Sequence, residues 1–183
     1  MVHVVESITG ENYRRLIDFA FEHSETVMMV YKTSGYRRKS DDVIMYVRAL
    51  LMPYILHTKN NSELTPENPC FTWPGTTCGY SDPLDPAAVF YYEDIRIYAD
   101  MYELSDFVKD YIRSVDGFFY WTQRYDNPED ISFYCGGKCW LYTTAHEYDL
   151  YFLDHEDEIC RMLDEMHIEY YRFGSTAERK RHA

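Results

Sequence analysis

The densest run of chemically capable side chains is NPEDISFYCGGKCWLYTTAHE, residues 127–147. It contains Cys135, Cys139, Thr143, Thr144 and the adjacent pair His146 and Glu147. An imidazole beside a carboxylate is the minimum for general acid–base catalysis. With Arg37, Arg38 and Lys39 to hold phosphates, His146 and Glu147 would suffice for a small hydrolase acting on RNA, because ribonuclease chemistry needs only an acid, a base and cationic support. The plainer reading of His146 is a strand-end histidine hydrogen-bonded to backbone or carboxylate. Neither threonine has the partners of a catalytic triad. Cys135, Cys139, His146, His155 and Cys160 are zinc-ligand types, but the C-x3-C pair straddles a turn and no second close pair exists. HEDE (155–158) and Asp41-Asp42 read as the negative first turns of helices. No phosphate-cradling glycine loop, Gly-x-Ser-x-Gly elbow or His-Glu-x-x-His helix occurs. No metal and no cofactor are expected.

The elements that must position these groups follow from periodicity. Gly136-Gly137 between β-forming residues is a two-residue hairpin turn, which pairs Cys135 with Lys138, Tyr134 with Cys139 and Phe133 with Trp140. Alternation then turns Cys135 and Cys139 to opposite faces and puts Ile131, Phe133, Trp140 and Tyr142 on one face, with His146 continuing that face and Glu147 turned away. Further strands are expected over 2–8, 26–32, 88–99, 118–121, 148–153 and 168–173. Helices are expected from a Thr9 cap to His23, from a Ser40 cap to Pro53, over 102–115, and from an Asp154 cap onward. Five of the seven prolines (66, 69, 74, 83 and 86) fall within 57–86, which reads as a long loop. Inside it, FTWPGT (71–76) carries Trp73, either a plug over the core or a contact residue. The order of elements predicts an α+β fold: one compact domain over 1–175, a mainly antiparallel sheet with about four helices, and a frayed basic tail at 176–183.

The chain has 183 residues, 19 tyrosines and a formal net charge of −13. Residues 1–60 hold eight Lys/Arg against seven Asp/Glu, which leaves ten and twenty-four for residues 61–183. Such an acidic surface repels duplex nucleic acid and attracts basic protein grooves. The N-terminal segment lacks the basic and apolar regions of a signal peptide, and five irregularly spaced cysteines suggest reduced thiols, so a cytoplasmic location is expected. No apolar run has the length of a membrane helix.

The combination of WPGT with PEDISFY, GG and CWLYTTAHE resembles small, functionally uncharacterised proteins of Gram-positive bacteria and their mobile elements, over about residues 12–173. That group brings no activity and no residue roles. In size, acidity and tyrosine content the chain is also similar to phage-encoded anti-CRISPR and anti-restriction inhibitors. Two readings of function follow. The first is an interaction or inhibitor protein that binds a basic, nucleic-acid-handling partner such as an RNA-guided nuclease. Tyrosines and carboxylates would mimic a phosphate surface, with Trp73, Asp82, Asp85, Tyr91, Tyr92, Glu93 and Asp94 as candidate contacts. The second is the hydrolase built on His146 and Glu147.

Overall fold

The short strand VHV sets the pattern for the whole sheet: Val2 and Val4 are fully buried while His3 between them faces the other way. The computed structural model describes residues 1–33, 39–63, 70–79, 95–173 and 179–180. Within them the chain runs β1 (Val2–Val4), α1 (Gly10–Glu22), β2 (Thr26–Thr33), α2 (Lys39–Leu51), β3 (Ile55–Asn60), β4 (Cys70–Trp73), β5 (Thr76–Gly79), β6 (Arg96–Glu103) and α3 (Asp106–Ser114). It continues through β7 (Glu129–Cys135), β8 (Lys138–Thr144), β9 (Asp149–Phe152), α4 (Glu156–Glu165), β10 (Tyr170–Arg172) and β11 (Arg179–Lys180). Nine strands form one sheet in the order β11-β10-β1-β9-β8-β7-β2-β6-β3, and every neighbouring pair is antiparallel. With its four described helices this is the α+β architecture expected, in a single domain. Among the described residues no helix is long and apolar enough to cross a membrane.

The helices cover one face. Tyr13, Leu16, Ile17, Ala20 and Phe21 form the buried stripe of α1, at the spacing that puts side chains on one side of a helix. They pack with Val27, Met29, Tyr31, Ile131, Phe133, Leu150 and Phe152 from the sheet, and with Val108, Ile112, Ile159 and Leu163 from α3 and α4. Two polar devices hold this layer. The Tyr13 hydroxyl donates to the Ile112 carbonyl at 2.9 Å, tying α1 to α3. On α2, Arg48 reaches the fully buried Asp100 of β6 through Nε at 2.6 Å and a terminal nitrogen at 3.2 Å, with Thr58 of β3 donating to the same carboxylate at 2.7 Å. The guanidinium also lies 4.1 Å from the Tyr98 ring centroid. A forked ion pair with its remaining lone pairs filled is the form in which a buried carboxylate is tolerated.

Among the described residues, the opposite face is covered over only part of its width. Met28 and Val30 of β2 with Ile97 and Ala99 of β6 make a second, smaller core beneath Phe71 and Trp73. The β4–β5 hairpin lies across it.

Several expectations shift. The stretch 57–86 contains β3's end and the β4–β5 hairpin, because the apolar FTW before Pro74-Gly75 finds a core to cover. Residues 118–120 form a 3-10 turn in place of a strand, their Phe118 and Phe119 buried from irregular backbone. Helix α3 begins at Asp106, capped by the Ser105 hydroxyl accepting from the Val108 N–H, and residues 102 and 103 belong to β6. Thr9 precedes α1 but makes no side-chain cap; Ser40 lies inside the first turn of α2; and His155, not Asp154, is the cap residue of α4. The hairpin keeps Cys135 opposite Lys138 and Tyr134 opposite Cys139, with Gly136 and Gly137 at φ of 56° and 72°. A bulge then slips the register, so Phe133 faces Leu141 instead of Trp140. Trp140 and Leu141 both turn into the main core, and Tyr142 goes to the other face.

Trp140 is 3% exposed, packs edge-on to Phe19 and His155, and donates from its indole nitrogen to the Ser24 hydroxyl at 2.8 Å. Trp140→Ala is expected to cost about 3–5 kcal/mol by leaving a cavity. Urea unfolding followed by circular dichroism measures it, and a loss below about 1 kcal/mol would contradict this packing.

Candidate functional site

Both conspicuous fragments of the sequence meet at one carboxylate. In the β2–β7 pairing, Met29 faces Ile131 and Val30 faces Glu129, so Asp130 is the extra residue of a bulge. Its φ of 47° is one that Asp tolerates better than most residues, and the bulge swings its side chain under the hairpin. There Oδ2 accepts from the Trp73 indole N–H at 2.8 Å and the Thr76 hydroxyl at 3.3 Å, while Oδ1 accepts from the Ala145 backbone N–H at 2.8 Å. The side chain is fully buried. Burial pushes the carboxyl up to about 6, against the hydrogen bonds from Trp73 and Ala145, which pull it down. Gly75 completes the junction. A β-carbon there would stand 2.4 Å from the Thr144 hydroxyl and 2.7 Å from the Tyr142 ring, and φ is +77°, so both space and backbone require glycine.

His146 and Glu147 follow immediately. Strand β8 ends at Thr144, and residues 145–147 form a 3-10 turn, so strand alternation does not carry through to His146 as expected. The turn brings His146 beside Glu129 and Asp130. His146 Nε2 lies 3.9 Å from Glu147 Oε1, with the two side chains 45% and 61% exposed. Lys39 begins α2, whose Ile44 and Leu51 enter the helix-side core. Arg37 and Arg38 lie outside the described residues. Cys139 is half-buried, and burial pushes its thiol up to about 12, which suits neither a nucleophile nor a metal ligand at neutral pH.

Trp73 takes the plug position, 6% exposed and turned into the second core. Asp82, Asp85, Tyr91, Tyr92, Glu93 and Asp94 lie outside the described residues.

Beyond the hairpin turn, the side chains alternating away from the helices are aromatic. Tyr142 of β8 stacks on Tyr151 of β9 at 4.9 Å, and the His3 ring of β1 stacks on Tyr151 at 4.4 Å with 6° between planes. His3 Nε2 also meets Asp149 Oδ1 at 2.6 Å. Phe173, 45% exposed, extends the row 6.2 Å beyond His3. The result is a row of rings over β8, β9 and β1 and just past the end of β10, with a carboxylate at its edge and Glu147 nearby in sequence. Periodicity over 149–152 and 2–4 carried this signal, but only the pairing of β1 with β9, some 145 residues away in sequence, brings the rings together.

Comparison with known proteins finds no matching family, no matching curated protein and no matching solved structure.

The Asp130 junction has a pH signature. A carboxyl raised from the usual range near 4 to about 6 holds its proton more tightly folded than unfolded, so its contribution to stability falls as pH rises through that window and is level above it. Asp130→Asn stays neutral throughout. The stability of the native chain relative to Asp130→Asn should therefore drop by up to about 3 kcal/mol between pH 4 and 6. Parallel denaturant curves at the two pH values measure this, and a constant difference would mean that the buried carboxyl titrates normally.

Proposed function

We propose that the protein is a non-enzymatic interaction or inhibitor protein that docks on a basic, nucleic-acid-handling partner, in kind an RNA-guided nuclease, through the half of its sheet face that the β4–β5 hairpin does not cover. The observation carrying this reading is the stacked row of Tyr142, Tyr151 and His3 with Asp149 at its edge, on the part of the sheet that the β4–β5 hairpin leaves open. Tyrosines already held by stacking offer rigid contact area with little entropy to lose on binding. A net charge of −13 supplies long-range attraction to a cationic groove and discourages approach to duplex DNA. Charge of this kind acts mainly on the association rate, and the buried rings act mainly on dissociation.

The test uses purified RNA-guided nucleases as the probe, with target-DNA cleavage and binding kinetics as readouts. An inhibited nuclease should associate at least about tenfold more slowly when salt rises from about 50 to 500 mM. Tyr151→Ala should weaken binding by about 30-fold through faster dissociation, as expected for a central aromatic contact. Salt-independent association together with full affinity in Tyr151→Ala would reject this surface.

A ribonuclease reading draws on His146 and Glu147 at 3.9 Å, beside a carboxyl with a raised proton affinity. Asp130 is sealed from solvent, so only the exposed pair could touch a substrate. We expect purified protein to leave RNA intact. Cleavage that falls by about 10²–10⁴ in a folded His146→Ala variant would instead assign the pair an acid–base role.

A further inference from the structure

We propose that His23, His155 and Glu158 form a binding site for one divalent transition-metal ion of the zinc class. One ligand atom from each lies within 4.8 Å of the other two. The ligand atoms of a tetrahedral zinc with bonds of about 2.0–2.2 Å stand about 3.4 Å apart. Closing the difference needs small side-chain adjustments, for which Glu158, 48% exposed on the first turn of α4, has room.

The surroundings are those of a ligand set and not of three isolated polar groups. His23 is the C-cap residue of α1, and its Nδ1 is 2.8 Å from the Phe19 carbonyl. That contact places the proton on Nδ1 and leaves the Nε2 lone pair for an ion, the arrangement by which metal-binding histidines are usually oriented. His155 sits at φ 55°, a left-handed conformation that directs its ring between Trp140 at 5.1 Å and His23 at 4.5 Å. Strain of this sort is characteristic of sites where side-chain placement matters more than backbone comfort. Phe19 stacks on His23 at 4.1 Å and meets His155 edge-on at 5.8 Å, so an apolar wall backs both imidazoles and would lower the local dielectric around a bound charge. Glu158 lies three residues after His155, on the same side of the helix turn, with its Oε2 3.5 Å from the His155 Nδ1.

Two imidazoles and one carboxylate select a borderline ion such as zinc, cobalt or nickel over calcium and magnesium, which prefer oxygen alone. Three protein ligands leave a fourth position on the solvent side for water or an incoming ligand. Glu129, Asp130 and His146 also cluster, but both Asp130 oxygens are already engaged by Trp73, Thr76 and Ala145. That set is the poorer ligand.

The experiment titrates the intact chain, stripped of metal by chelator and dialysis, with Zn²⁺ and separately with Mg²⁺ by calorimetry, with elemental analysis after gel filtration. One zinc per chain is expected, with no heat from magnesium. His155→Asn, chosen because Asn tolerates the same backbone, and Glu158→Gln should each weaken zinc by at least about tenfold. Cys139→Ser and His146→Gln should leave the affinity unchanged. The unfolding midpoint supplies a second readout, since an ion bound only by the native state must raise it in the parent and not in His155→Asn. Absence of binding at about 100 µM free zinc, or binding lost in His146→Gln and kept in His155→Asn, would overturn the assignment.

Discussion

The hydrogen bonds to Asp130 are the constraint on which the non-helical side of the molecule depends. A carboxylate without solvent is tolerated only when its oxygens are filled, and here one oxygen is filled by the β4–β5 hairpin while the other is filled by the turn after β8. The two donor sets come from segments more than fifty residues apart in sequence. Satisfying the charge therefore fixes the hairpin over the sheet. Trp73 is at once donor and core residue, so polar and apolar requirements point to the same placement. Gly75 then lets the turn approach β8 closely enough for Trp73 and Thr76 to reach the carboxylate.

That placement also determines what the described residues leave uncovered. The hairpin covers the β2–β6 region, and its tip reaches Tyr142 and Thr144 on β8. The strands beyond, β9, β1 and β10, turn His3, Tyr151 and Tyr171 to the face opposite the helices. The helix side is bound down by buried links between elements, Arg48 to Asp100 and Tyr13 to Ile112. A rigid layer beneath a stacked surface row is the arrangement in which aromatic side chains lose least freedom on contact.

Much of the architecture was legible in the sequence, for local reasons. Gly136-Gly137 specifies a primed turn, and the stripe at 13, 16, 17 and 20 specifies α1; both depend on neighbours in the chain. Alternation predicted the neighbours of the hairpin turn but not the bulge two residues further on, because that slip follows from burying Trp140 and Leu141 together. The candidate sites were less legible. Nothing local marks Asp130, since its partner Trp73 lies 57 positions away in sequence. His23 and His155 have no common motif, and their proximity depends on α1 and α4 packing against the same sheet. His155 and Glu158 had a sufficient explanation as part of a negative helix start, and three of that turn's acids, Glu156, Asp157 and Glu158, do occupy the first turn of α4.

The position of β1 has a consequence for how the chain is made. Its three residues pair on one side with β9 and on the other with β10, so Val2 faces both Phe152 and Arg172. Hairpin β7–β8 and strand β9 can form from contiguous sequence, but β1 has no partner until they exist. At synthesis rates of about 5–20 residues per second, β1 leaves the ribosome about 7–30 seconds before β9 does. During that interval Val2 and Val4 are apolar side chains on an unpaired strand, and the sheet closes only as a late, long-range step.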